Sequence, residues 1–179
     1  LRSSVAANGQ ACQSIERLYV HRSLAEAFTA SLVEQAKAVE PNYPDIAQGH
    51  IGPFIFPPQA DKVQAQIDAA VAAGAKVLAG GKVELLGGGK YRRPTVLVDV
   101  TPDMKVMQEE TFGPVLPIAR VSTVDEGIRL ANESKYGLGS AVFAREGKDR
   151  IADRVKAGMT SINTVISFAG IPGLPFGGS

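Results

Sequence analysis

The stretch Val115-Leu116-Pro117-Ile118-Ala119-Arg120-Val121, followed by Ser122-Thr123-Val124-Asp125-Glu126, decides the class of fold. Seven mostly apolar residues with β-branched members read as a strand. Thr123 and Glu126 then form an S/T-x-x-E capping box, which satisfies two orphan N–H groups and opens a helix with Val124, Ile128 and Ala131 on one face. Downstream, Gly137 and Gly139 punctuate a strand at Ser140–Ala144, a helix over Lys148–Lys156 with Ile151 and Val155 inward, a C′ glycine at Gly158, and a strand at Met159–Asn163. Strand, helix, strand, helix, strand with short connections predicts two βαβ units. The fold class is therefore α/β, a mostly parallel twisted sheet with flanking helices.

Upstream, Ile15–Val20 reads as a short strand. Ser23 and Glu26 form a second capping box, and Leu24, Phe28, Leu32, Ala36 and Val39 make a helical stripe ended by Pro41 and Pro44. Residues 41–56 read as loop. Pro57 and Pro58 suit the first turn of a helix striped by Val63, Ile67, Ala70 and Val71, with Gly74 as its stop. Strands are expected at Lys76–Ala79 and Thr95–Val100, and the glycine runs at 80–81 and 87–89 flank a hairpin-like excursion.

Composition narrows the function. The 179 residues are 45% hydrophobic and 21% charged, as in ordinary globular domains, and their length favours one domain over two. Nineteen Lys and Arg against eighteen Asp and Glu leave a net charge of +1, which argues against a nucleic-acid partner. No apolar run approaches the ~18 residues of a membrane span. One Cys and two widely spaced His make neither a disulfide framework nor a metal cluster, so no metal is expected, and a reducing, cytoplasmic setting is the default. The opening residues lack a signal-peptide apolar core, and both ends read as cut from a longer chain.

Three stretches could carry chemistry. Cys12, in Asn8-Gly9-Gln10-Ala11-Cys12, is either a nucleophile approached through a small polar loop or a buried small hydrophobe. Glu109 and Glu110, before Thr111-Phe112-Gly113-Pro114, are either a ligand-binding carboxylate beside an aromatic platform or a solvated acidic pair at a turn. Asn163, at the carboxyl end of the last strand, either orients a substrate or satisfies loop backbone, and open α/β sheets gather sites at that edge. Phe168, Leu174 and Phe176 either wall an apolar tunnel or simply pack. His21, His50, the Lys90-Arg92-Arg93 group and the glycine runs carry no motif of their own; the glycine runs lack the helix start and Lys of a phosphate loop.

In combination these stretches resemble the catalytic domain of the NAD(P)-dependent aldehyde dehydrogenase superfamily, from about Asn8 to Gly178. Asn-Gly-Gln-Ala-Cys12 is similar to the family's nucleophile motif, and Gln-Glu-Glu110-Thr-Phe112-Gly-Pro to its Glu-Glu-x-Phe-Gly-Pro motif. Ser-Ile-Asn163 and Pro175-Phe176-Gly177-Gly178 are similar to its closing signatures. The motifs come in the family's order, with 98 residues from Cys12 to Glu110.

The resemblance implies that Cys12 attacks an aldehyde, that Glu110 binds the nicotinamide ribose and Phe112 flanks the nicotinamide, that Glu109 is structural, and that Asn163 organises the active-site loop. It also implies NAD or NADP as cofactor, an aldehyde as substrate, and a homo-oligomeric (dimeric or tetrameric) parent. Residues 1–179 would be a catalytic domain truncated at both ends, without its cofactor-binding domain, its general-base Glu or its oxyanion Asn, and not competent in turnover alone. Met159–Ala169 together with Ile171-Pro-Gly-Leu-Pro-Phe176 looks closest to bacterial members acting on semialdehydes or aromatic aldehydes. Rival readings are a Cys-dependent acyl hydrolase pairing Cys12 with His21 or His50, and a non-catalytic interaction domain with an inert thiol.

Overall fold

The computed structural model describes residues 1–167 and 171–179, which form two compact units, Leu1–Arg120 and Val121–Ser179. In chain order the elements are α1 (Arg2–Val5), a turn at Ala6–Gly9, β1 (Leu18–His21), α2 (Arg22–Lys37), α3 (Pro57–Ala72), β2 (Lys76–Ala79), β3 (Val83–Leu86), β4 (Gly89–Arg92), β5 (Thr95–Val98), α4 (Lys105–Gln108), β6 (Val115–Val121), α5 (Val124–Asn132), β7 (Gly139–Val142), α6 (Lys148–Ala152) and β8 (Met159–Ile162).

The first unit is built on a four-stranded sheet ordered β1-β6-β5-β2. β5 and β6 run parallel, with Thr95 opposite Val115 and Leu97 opposite Pro117. β2 joins β5 antiparallel, and β3 and β4 form a separate antiparallel hairpin. Side chains alternate across the sheet. Leu97, Val115 and Ala119 enter one apolar cluster with Ala60, Val63 and Ile67 of α3. Val96, Leu116 and Ile118 enter the other, with Ala25, Leu32 and Ala36 of α2. Helices on both faces explain why β6 reads as an unbroken apolar run.

Several expectations shift at element ends. Ser23 is already the second helical residue of α2, so it does not cap the helix. Instead His21 is the N-cap, and its Nδ1 accepts the Ser23 N–H at 3.3 Å. The buried face of α2 is Ala25, Leu32 and Ala36, whereas Leu24 is 62% exposed and Phe28 40%. The expected stripe holds at Leu32, Ala36 and Val39 but not at Leu24 and Phe28, where Ala25 faces inward instead. The first strand begins at Leu18 rather than Ile15, because Glu16 and Arg17 are engaged elsewhere. β5 stops at Val98, where Asp99 takes φ 56° and accepts from Lys76 and Arg120, both at 2.9 Å, on the flanking strands. The prolines of α3 occupy its first turn, and Gly74, at φ 105°, follows its end.

In the second unit, β7 and β8 pair in parallel, Gly139 opposite Met159. The Thr123–Glu126 box forms: Thr123 Oγ1 accepts the Glu126 N–H at 3.1 Å, and Glu126 Oε2 accepts the Ser122 N–H at 2.7 Å. α6 is shorter than expected, ending at Ala152.

Truncating Leu97, fully buried on β5, to Ala should destabilise the chain by about 2–5 kcal/mol. Leu24→Ala should stay within about 0.5 kcal/mol. Urea unfolding of both variants checks the contrast.

Candidate functional site

The site in the first unit is assembled from two segments far apart in sequence, 8–17 and 107–114. The first is anchored by its motif side chains. Asn8 Oδ1 accepts the Gly52 N–H at 2.9 Å and its Nδ2 donates to Pro53 O at 3.3 Å, while Gln10 Oε1 accepts the Ile55 N–H at 3.0 Å. Ala7 and Asn8 hold left-handed φ values of 49° and 58°. Gly9 follows at φ 68°, and a Cβ built there would lie 2.5 Å from the backbone C and O of Gly113. Two glycines from two motifs therefore stack backbone on backbone, a contact that admits no side chain at position 9. Cys12 emerges three residues later and is exposed, so it is not a core thiol.

The second segment is a turn whose polar backbone groups are taken up by side chains. Glu16 accepts the Phe112 N–H at 2.9 Å and the Thr111 N–H at 3.1 Å. Arg17 donates from Nε to Met107 O at 2.7 Å and from Nη2 to Glu109 O at 3.1 Å. From the other side come Gln59, Lys62 and Gln66, spaced i, i+3, i+7 on one face of α3. Gln59 Nε2 donates to Thr111 O at 2.7 Å, Lys62 Nζ to Glu110 O at 3.3 Å, and Gln66 Nε2 to the Glu109 carboxylate at 3.2 Å. Glu109 thus faces α3. Glu110 and Phe112 are half-buried on the turn, and Phe112 holds φ 52°. A left-handed conformation at a bulky residue costs about 1–3 kcal/mol and persists only where its surroundings enforce it.

Burial pushes the Glu16 carboxyl above its ordinary value. The N–H groups of Phe112 and Thr111 and the Arg17 guanidinium oppose that shift, and the charge of Glu110 reinforces it.

The carboxyl-edge rule locates Asn163 but not this cluster. Glu110 and Phe112 precede β6, so they stand at the amino end of the parallel β5–β6 pair, because they enter from a turn rather than leave from a strand. In the second unit Asn163 follows β8. Its Oδ1 accepts the Ala144 N–H at 3.0 Å and its Nδ2 donates to Ala144 O at 3.1 Å, extending the β7–β8 ladder by one side chain. Phe176 is 57% exposed, and Leu174 is likewise exposed. Phe168 lies outside the described residues.

A family model described as "Aldehyde dehydrogenase family" matches residues 1–179. The chain belongs to the aldehyde dehydrogenase family. Over 174 residues it is 38% identical to succinate-semialdehyde dehydrogenase [NADP(+)] 1 of Mycobacterium ulcerans, covering 96% of this chain and 37% of that protein. Benzaldehyde dehydrogenase [NAD(+)] of Pseudomonas putida is 39% identical over 173 residues, covering 95% and 34%. Among solved structures, the putative aldehyde dehydrogenase PutA from Anabaena variabilis superposes with a TM-score of 0.94 at 41% identity, over 99% of this chain and 38% of that one. The chain thus spans little more than a third of these relatives. The NAD+ complex of a Bacillus cereus aldehyde dehydrogenase is also similar, with a TM-score of 0.90 at 32% identity, over 99% of this chain and 36% of that one.

Within the family, the histidine pairing of a thiol hydrolase finds no support. His21 Nδ1 caps α2, and His50 Nδ1 accepts the Glu40 N–H at 3.0 Å. Sequence reading passed over Glu16 and Arg17. Their signal was present as two charged residues, four and five places after Cys12, interrupting an expected strand.

Two outcomes follow from this geometry. Gly9→Ala should destabilise the first unit by more than about 1 kcal/mol, since it adds both a left-handed strain and a backbone clash; urea unfolding measures it. For Glu16, a raised carboxyl value in the fold means that the protonated form is favoured there. Its contribution to stability therefore falls as pH rises from the ordinary Glu range through the raised value, and is constant above it. Relative to the protein, Glu16→Gln should gain stability across that window, read from unfolding midpoints at stepped pH.

Proposed function

We propose that the protein oxidises an aldehyde to the carboxylic acid with NAD or NADP, with Cys12 as the nucleophile. The observation that carries this reading is an exposed cysteine on a segment bound directly, through Glu16 and Gly9, to the turn that bears Glu110 and Phe112.

The donor set suits the cofactor. Glu110 supplies a half-buried carboxylate acceptor for a ribose diol, and Phe112, two residues on, supplies flat apolar surface for the nicotinamide. When bound, the dinucleotide supplies the hydride acceptor. The Cys12 sulfur adds to the carbonyl carbon, and the Cys12 backbone N–H donates to the oxyanion that forms. Once the hydride has left that carbon, the acyl group remains on sulfur as a thioester. Water then cleaves it, releasing the carboxylic acid and restoring the thiol. Asn163 holds the loop after β8 through Ala144. Phe168 and Phe176 belong to the same reading as walls of the substrate pocket, supported for Phe176 by its place in the closing Pro-Phe-Gly-Gly signature.

Semialdehydes and aromatic aldehydes are the substrate classes favoured by the names of the relatives. A cytoplasmic, homo-oligomeric protein, dimer or tetramer, belongs to this reading as well. Its support is the lone thiol, the family, and the finding that among the described residues no helix is long and apolar enough to cross a membrane.

In the protein at its natural length, Cys12→Ala should lower aldehyde oxidation by at least about a thousandfold. Iodoacetamide should label the wild-type chain once, at Cys12, and labelling should survive replacement of His21 and His50 together. An unreactive thiol would point instead to an interaction domain, and histidine-dependent labelling to a hydrolase. Residues 1–179 alone should produce no NADH at enzymic rates of ~1–10³ per second.

A further inference from the structure

Glu16 has two features that a merely structural surface carboxylate would lack. Its side chain is only 10% exposed, and its carboxylate accepts from two consecutive backbone N–H groups of the turn that carries Glu110 and Phe112. Thr111 is 1% exposed, so without Glu16 its N–H would be buried and unpaired. Phe112 would then hold its left-handed conformation with no acceptor to enforce it. Arg17 grips the carbonyls of Met107 and Glu109 on the same stretch. Adjacent residues therefore hold the turn by its donors and its acceptors, four and five places after the nucleophile. The Glu16 link to the Glu110 turn is short and charge-assisted.

We propose that Glu16 is a positioning residue for the dinucleotide, setting the placement of the Glu110 carboxylate and the Phe112 ring relative to Cys12 through the N–H groups of Thr111 and Phe112. The proposal rests on the functional reading above and extends it to a residue outside the motifs. Released from Glu16, Phe112 relaxes toward negative φ, which swings its own ring and the preceding carboxylate away from the cofactor. The Glu16 carboxylate bonds to Thr111 and Phe112 rather than to the thiol, so the intrinsic reactivity of Cys12 stays as it was.

The test uses Glu16→Ala and Glu16→Gln in the protein at its natural length. In Glu16→Ala, amide hydrogen exchange should accelerate at Thr111 and Phe112 by about tenfold or more, while Leu97 and Leu116 stay protected. The dissociation constants of NADH and NADPH, read by nicotinamide fluorescence, should rise about tenfold. KM for the cofactor should rise more than kcat falls. Glu16→Gln keeps one carbonyl acceptor, so its affinity should fall between the two while its unfolding midpoint equals or exceeds that of the parent. Alkylation of Cys12 by iodoacetamide without dinucleotide should remain within about twofold in both variants.

Parent-like affinity in Glu16→Ala, or unchanged exchange at both amides, would overturn the proposal while leaving the functional reading intact. So would an affinity loss in Glu16→Gln that merely tracks lost stability. Failure of the functional reading looks different: the unaltered protein would bind neither NADH nor NADPH, and the positioning role would fall with it.

Discussion

A buried carboxylate accepting two consecutive backbone N–H groups holds the candidate site together. Glu16 brings the nucleophile-bearing segment against a turn some 95 residues further on. The turn has no regular secondary structure to satisfy its own polar groups, so side chains must do so, and α3 contributes Gln59, Lys62 and Gln66 from the opposite side. Remove either clamp and a length of backbone is left with unpaired polar groups in partial burial, the expensive condition for any loop. The packing of Gly9 on the Gly113 backbone depends on the same registration, because its close approach leaves no room for a side chain at position 9.

The sheet beneath the site obeys a simpler rule. Successive residues of β5 and β6 point into two different apolar clusters, one with α3 and one with α2. Burial on both faces makes these strands apolar throughout, so their locations can be read without knowing their partners. Edges are less legible. Lys76 and Arg120 bind Asp99 where β5 ends, an interaction among three strands that no local pattern reports.

Legibility of the site followed the same division. Asn8, Gly9, Gln10 and Cys12 stood out as a small polar approach to a thiol, and Glu110 with Phe112 as an acid beside an aromatic. Each also had an unremarkable reading, since an isolated Cys is most often a core residue and an acidic doublet most often solvated. Exposure of the thiol removes the core reading for Cys12. Glu16 and Arg17 were not legible as site residues because their partners are backbone atoms, which leave no trace in residue type. The carboxyl-edge rule also pointed to Asn163 alone, because it speaks to what leaves a strand and not to a turn that enters one.

By itself, the sequence determined the alternation of strands and helices, the β6 strand, the capped start of α5, and the motifs that mark an aldehyde dehydrogenase. All of these depend on periodicity or on residues close together in the chain. Tertiary structure alone decided that α2 turns its alanines rather than Leu24 and Phe28 to the sheet, that His21 caps it, and that Glu16 joins the two motif-bearing segments. Those outcomes depend on which backbone groups lie near one another in space, and hydrogen-bond partners across nearly a hundred residues are chosen by packing rather than by local preference.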